Sequence, residues 1–180
     1  MALSRALTSG TIRQMLARMR LALVVWLAMV GLDFALNAGL FAYMYQEGGG
    51  FMLEPAEAFR RIPLGYLAFL IVAVGAVELA VRLEVRTVAA GLRFGLAAGA
   101  ALAATWTLGL YSVATLTPQM AAAFGVIWLM LLTLAGGVAA AGLSGTSLRD
   151  LTLRVVAADV VCVIAVIALQ TFGVVPTLKL

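Results

Sequence analysis

The stretch LALVVWLAMVGLDFALNAGLFAYMY, residues 21–45, decides the fold class of this chain. It is longer than the ~20 apolar residues that a helix needs to cross the hydrocarbon core of a bilayer. Four more apolar stretches follow it, at about residues 64–81, 94–111, 120–141 and 155–175. The sequence therefore predicts an all-α integral membrane bundle with five transmembrane helices.

The composition indicates a single membrane domain. Hydrophobic residues make up 64% of the chain and charged residues 11%, too few to cover the surface of a soluble domain of this size. We therefore predict one membrane domain at residues 21–175 and a short tail at residues 176–180. Residues 1–20 carry an apolar stripe at helical spacing among arginines, which is typical of an interfacial helix. The stripe consists of Ile12, Met15, Leu16 and Met19.

The positions of the basic residues predict the orientation. Nine lie before the first stretch or in the second and fourth connections: Arg5, Arg13, Arg18, Arg20, Arg82, Arg86, Arg93, Arg149 and Arg154. Three lie on the other side: Arg60, Arg61 and Lys179. Basic residues accumulate on the cytoplasmic side, so we expect a cytoplasmic N-terminus and, after five spans, an external C-terminus.

Small residues recur at every fourth position along the third stretch. The row consists of Gly91, Gly95, Gly99, Ala103 and Thr107. Such a row allows a second helix backbone to approach closely. Two small-residue pairs of the fourth stretch are the expected counterparts, Ala135 with Ala139 or Gly137 with Ala141. Packing within the bundle is the favoured interpretation, and contact between subunits is the alternative.

Two acids are expected near the cytoplasmic ends of their spans. Glu78 has Arg82 one turn later, which predicts an ion pair at the membrane surface. Asp159 is placed at a similar depth in the fifth span, where it would bridge to a base of the neighbouring loop: Arg82, Arg86 or Arg93. Gln170 falls on roughly the same face as Asp159 and is expected to hydrogen-bond across the bundle.

Asp33 lies much deeper, roughly 18 Å along the helix from the start of its span. An ionisable group at this depth costs a few kcal/mol unless it finds a partner. Asn37, one turn later, shares its face. The favoured interpretation is a neutral, hydrogen-bonded Asp–Asn pair that joins helices. The alternatives are a proton or cation site and a contact with a basic residue of a partner protein.

Several activities lack the residues that they require. The chain has no histidine, which excludes histidine-ligated haem and the usual zinc or copper sites. It also has no Cys-x-x-Cys pair, no phosphate-binding loop and no Gly-x-Ser-x-Gly. The net charge of +4 is accounted for by the arginines that flank the spans, so nucleic-acid binding is not indicated. We expect no metal, no cofactor and no catalytic site.

Several positions carry a family resemblance. They are Asp33 in the first span, Tyr45 before Gly48–Gly50, Gly109-Leu110-Tyr111 at the end of the third span, and Trp128 in the fourth. Over about residues 21–141 the chain resembles a group of small bacterial multi-pass membrane proteins of unknown function. It departs from that group after Tyr111, where Ser112 and Thr115 replace an acid and an amide, and before Trp128, where an acid is missing. The resemblance implies a four-helix core and no biochemical activity.

The sequence favours a non-enzymatic role in a bacterial-type inner membrane. The leading hypothesis is an accessory or scaffold subunit whose partners are the lipid bilayer and other membrane subunits, or a second copy in a homo-oligomer. The small-residue row, the short loops and the missing catalytic groups support it. The alternative is a small transporter or proton/cation pathway that uses Asp33. Against transport, no proline is expected inside a span and no repeat relates the two halves.

Overall fold

The structure is a computed structural model that describes residues 2–45, 53 and 55–177. Within this part of the chain five α-helices form: α1 (Ala2–Ala35), α2 (Pro55–Arg82), α3 (Val88–Val113), α4 (Pro118–Leu143) and α5 (Leu148–Thr171). Each contains a segment long and apolar enough to cross a membrane. The prediction of an all-α fold with five helices long and apolar enough to cross a membrane is confirmed.

The helices begin and end where local chemistry satisfies their free backbone groups. Thr87, Thr117 and Ser147 cap the starts of α3, α4 and α5 with side-chain oxygens that accept a backbone hydrogen bond. The Ser147 hydroxyl accepts from the Asp150 amide at 3.1 Å. The prediction for the fifth span is wrong at its end: α5 stops at Thr171 rather than near residue 175, because Gly173 has a left-handed φ of +69°.

The second span also differs from the expectation, which placed it at residues 64–81. The candidate span of α2 runs from Arg60 to Arg82, so Pro63 lies inside it. The sequence placed Pro63 before the span because the apolar stretch begins after it. The interior proline removes one backbone donor from α2, a feature that neighbouring groups must accommodate.

Two helices form the centre of the bundle. The buried core consists mainly of side chains from α1 and α4, including Val25, Met29, Leu131 and Ala135. α2 packs against both central helices, α3 packs on α4, and α5 packs on α1. The bundle has two ends. Arg18, Glu78 and Gly142 mark the one that we call the basic end, and Tyr43 bonds to the Val174 carbonyl at the opposite end.

The small-residue row of α3 packs within the bundle, against α4. Gly91, Gly95, Gly99 and Ala103 are buried. A Cβ atom at Gly95 would collide with the backbone at Leu132 and Thr133, so the two helices touch there through their main chains. The expected counterparts were wrong: the facing positions are Leu129, Leu132, Thr133, Gly136 and Ala140. The rotation of α4 about its axis decides which of its residues face α3, and the spacing of its small residues does not specify that rotation.

The fifth member of the row ends in a polar atom without a partner. The Thr107 hydroxyl is buried and makes no hydrogen bond within the described part of the chain. A Cβ atom at Gly125 of α4 would lie 3.5 Å from it, so the row continues to this point. The five predicted packing positions therefore lie along one helix–helix interface.

Candidate functional site

The polar centre of α1 is the pair Asp33 and Asn37. The Asn37 side-chain amide donates to the Asp33 carboxylate at 2.7 Å and to the Asp33 backbone carbonyl at 3.0 Å. Both hydrogen bonds lie within one helix, at the i,i+4 spacing that places side chains on a common face. The predicted pairing is therefore present, but these two bonds do not join α1 to another helix.

The backbone changes its winding between the two members of this pair, so that Asn37 lies in the irregular segment. Leu36–Leu40 form a π-helical segment, and the Phe41 amide donates back to Leu36 at 2.8 Å. A single-turn 3-10 helix follows at Ala42–Tyr45. In a regular α-helix the Asp33 carbonyl would accept from the backbone N–H four residues later. Here the Asn37 side-chain amide also donates to that carbonyl, and such competition favours a local irregularity of the helix. Single-turn π segments inside α-helices are frequent at functional sites.

Gln170 of α5 reaches this irregular segment. Its side-chain amide donates to the Ala38 carbonyl at 3.2 Å, across the interface between α5 and the π segment. A Cβ atom at Gly39 would lie 3.2 Å from a methyl group of Val166, so the two chain segments are in close contact. The irregular turn thus offers a backbone acceptor to a side chain of another helix.

One hydrogen bond joins the Asp33 face of α1 to α2, and a chain of aromatic contacts continues from α2 to α4 and α3. Trp26, two turns before Asp33 on the same face, donates to the Tyr66 carbonyl at 2.7 Å. The Tyr66 phenol lies within electrostatic reach of the Asp33 carboxyl group. Ring contacts then join Tyr66 to Phe69, Phe69 to Trp128, and Trp128 to Trp106, with centroid separations of 6.1, 5.8 and 6.5 Å. Because Trp26 and Asp33 share a face, this face of α1 is directed toward α2.

Asp159 lies deeper than the sequence suggested. It is eleven residues into the helix that begins at Leu148, close to the midpoint of α5, and its carboxylate rests against Gly31 of α1. The predicted bridge to Arg82, Arg86 or Arg93 is wrong: across residues 2–45, 53 and 55–177 no ion pair or hydrogen bond involves Asp159. The expectation failed because it took residue 155 as the start of the span, seven residues after the helix begins.

The structure keeps the two central acids apart. Gly31 and Asp33 are two residues apart, which separates their directions by about 200° around a helix. Gly31 meets Asp159, whereas Asp33 shares the face of Trp26, which bonds to the Tyr66 carbonyl of α2. The acids thus occupy opposite sides of α1 and do not form one carboxylate pair.

Glu78 pairs with a residue far away in the sequence. Arg18 of α1 donates to the Glu78 carboxylate at 3.0 Å, and both side chains are 38% exposed. The expected partner, Arg82, makes no ion pair in the described structure. Glu78 thereby fastens α2 to α1 at the basic end.

Three of these partners were missed by sequence reasoning. Arg18 was assigned only to the membrane surface, while Gly31 and Tyr66 were given no role. Gly31 and Asp159 come together through tertiary packing, and Tyr66 receives the Trp26 bond through a backbone carbonyl, which any residue carries. No pattern in the chain marks either contact.

Neither metal chemistry nor a family assigns a role to this site. No group of three or more His, Cys, Asp or Glu side chains in the described ranges is arranged to hold a metal ion. No protein-family model, curated protein or solved structure matches the chain. The resemblance to small bacterial multi-pass membrane proteins stays a prediction. The functional proposal therefore rests on the geometry of individual residues.

Proposed function

We propose that this chain is a non-enzymatic accessory or scaffold subunit of a bacterial-type inner membrane, with its N-terminus in the cytoplasm, and that it binds a neighbouring transmembrane helix along α5. The observation that carries this proposal is Asp159, a carboxyl group near the middle of α5 without a hydrogen-bond partner in the described chain.

The outer surface of α5 is suited to contact with another helix or with lipid. α5 packs on α1 and has little contact with the other helices. Exposed apolar side chains cover the rest of its surface: Val156, Val160, Val161, Ile164 and Ile167. Lipid chains can cover this surface, but they offer no hydrogen bond to the half-buried Asp159.

The chemistry of Asp159 defines the partner. A carboxyl group in the hydrocarbon region costs a few kcal/mol unless it is paired or hydrogen-bonded. A neighbouring helix with a lysine, arginine or hydroxyl group at the same depth would supply the missing donor. Binding of such a helix therefore explains why an acid is placed on the helix that has the fewest contacts with the bundle.

Site-specific photo-crosslinking in intact membranes tests this assignment. A photoreactive residue at Val156 or Val163 flanks Asp159 on its own face and should capture one discrete protein. The same residue at Ile71 of α2, which is also exposed, is the matched control and should not capture it. Crosslinks to a second copy of the chain would identify the partner as a homo-oligomer.

Asp159→Leu should reduce the crosslink by at least about tenfold. Loss of one member of a buried charge pair costs about 2–5 kcal/mol, and 1.4 kcal/mol corresponds to a factor of ten. Asp159→Asn distinguishes the two kinds of partner. The variant should still bind a partner that offers a hydroxyl group, and it should bind a partner that offers a lysine or arginine more weakly. Crosslinks to lipid alone, or an unchanged protein crosslink in Asp159→Leu, would refute the proposal.

The π segment favours a second candidate, a proton or cation pathway through Asp33. Transporter sites are often built where a transmembrane helix is interrupted, because the freed carbonyls become ligands. Here the α-helical winding of α1 ends two residues after Asp33 and a π turn closes the span, and Pro63 lies inside α2. This candidate requires a flux through the purified protein that depends on Asp33, whereas the scaffold role requires none.

A further inference from the structure

A cleft opens at the basic end between the first, fourth and fifth helices. It has a volume of about 250 Å³, and its walls come from α1, the end of α4 and the start of α5. This volume lies just below the ~300–1,000 Å³ of typical small-molecule sites. The membrane-crossing segment of α4 ends at Leu143 and that of α5 begins at Leu148. The cleft therefore lies at one end of both apolar segments. It is separate from Asp159 and from Asp33.

Two arginines of α1 line this cleft. Arg20 makes no ion pair to any residue that the structure describes. Arg18 uses one terminal nitrogen, Nη1, for both oxygens of Glu78, which leaves its Nη2 and Nε donors without a partner in the described chain. The pair therefore carries a net positive charge after Glu78 is counted. The start of α5 adds the positive end of a helix dipole at Leu148.

The remaining lining is apolar apart from one hydroxyl group. Leu21, Leu143 and Leu148 contribute side chains, and Thr146 adds a hydroxyl. Arginine donors and a hydroxyl suit a phosphate group, while leucines suit the glycerol and upper acyl carbons beside it. A soluble phosphate would not use the leucines.

We propose that this cleft holds the phosphate group of an anionic phospholipid, with Arg20 and the free donors of Arg18 as its ligands. Acyl chains would leave the cleft along the apolar ends of α4 and α5. This site is independent of the proposed contact along α5, because no residue of the cleft lies next to Asp159. Its failure would leave that contact untouched.

Native mass spectrometry of the full chain, purified in mild detergent, measures the proposed binding directly. Phosphatidylglycerol and phosphatidylcholine with identical acyl chains are titrated separately. We expect the wild-type protein to retain phosphatidylglycerol in preference to phosphatidylcholine. Arg20→Gln should reduce that preference at least about tenfold, because it removes the charge-assisted hydrogen bonds from Arg20 to the phosphate group.

Arg13→Gln is the matched control. Arg13 is an exposed arginine of the same helix and lies outside the cleft, so its loss removes the same charge and should leave the preference unchanged. Thr146→Leu fills the cleft without a change in charge and should also weaken phosphatidylglycerol binding. Equal losses in Arg13→Gln and Arg20→Gln would show general surface attraction and overturn the site.

A competition with inorganic phosphate shows whether the phosphate group in the cleft comes from a lipid or from a soluble ligand. At concentrations equal to the lipid, it should not displace phosphatidylglycerol, because it gains nothing from the leucines. Displacement at equal concentration would overturn the lipid assignment in favour of a soluble phosphate ligand. Retention of both lipids to the same extent by the wild-type protein would overturn both assignments.

Discussion

The carboxylate of Asp33 has a partner in its own helix, one turn away. The Asn37 amide lies 2.7 Å from it and also bonds to the backbone carbonyl of the same residue. A local pair of this kind satisfies part of the polarity that the bilayer would penalise. It requires no ionised form of Asp33, which makes a structural role consistent with the geometry.

Asp33→Asn is therefore expected to be tolerated. Asparagine keeps a side-chain oxygen that accepts from Asn37, so the free energy of unfolding should change by less than about 1 kcal/mol. Asp33→Leu removes that acceptor and should cost about 1 kcal/mol, since the residue 33 carbonyl still accepts from Asn37. Thermal unfolding in mild detergent measures both changes. A large loss of folded protein in Asp33→Asn would contradict a neutral structural role.

The same variant decides the transport candidate. Reconstituted vesicles with an imposed proton or cation gradient should show a flux that Asp33→Asn abolishes while the fold survives, if Asp33 carries the ion. The transport candidate fails if the wild-type protein moves neither protons nor cations, or if Asp33→Asn moves them equally well.

At the level of elements, α3 and α4 pack closely, main chain against main chain. Their main chains meet where glycine removes the side chain, and dispersion contacts take the place of a hydrophobic driving force inside lipid. Gly95 faces the Leu132 carbonyl, whereas Gly109 of the same helix has open space at its Cβ position. A comparison of the same substitution at the two glycines therefore distinguishes its effect on packing from its effect on helix formation.

Gly95→Leu should destabilise the bundle strongly, and Gly109→Leu should not. The new side chain at residue 95 must push two backbones apart, beyond the ~1–3 kcal/mol of ordinary overpacking. Leucine also favours a helix over glycine by roughly 0.8–1 kcal/mol, which Gly109→Leu would gain. Size-exclusion profiles and melting temperatures in detergent report the difference. Equal stability of the two variants would contradict the α3–α4 interface.

At the level of the whole molecule, two central helices are covered by three that are mostly exposed. α1 and α4 supply most of the buried core, and the exposed faces of α2, α3 and α5 are apolar. A soluble protein could not tolerate this arrangement, while a bilayer solvates it. The arrangement also leaves three helices free for contact with lipids or other subunits.

The orientation in the membrane is testable with reporter fusions. Nine of the twelve basic residues lie in segments that a five-span topology would place on the side of the N-terminus. A reporter that is active only in the cytoplasm should work at residue 1 or within residues 144–149 and fail at residue 180. Activity at residue 180 would contradict an odd number of spans and would require α5 to lie on the membrane or to re-enter it.

The sequence alone determined the features that depend on local composition and spacing. The five apolar stretches predicted five helices, since a helix must be continuously apolar to cross a bilayer. The small residues at every fourth position identified the buried face of α3. Each of these properties is set by residues within a few turns of one another.

Only the tertiary structure decided which distant residues meet. Arg18 and Glu78 are sixty positions apart, and the sequence offered Arg82, a nearer base that the folded chain does not use. Asp159 meets Gly31, and Gly95 meets the α4 backbone at Leu132, because of how deep each helix sits and how it is rotated. Depth and rotation follow from the fit of all five helices together, and no local stretch of the sequence encodes them.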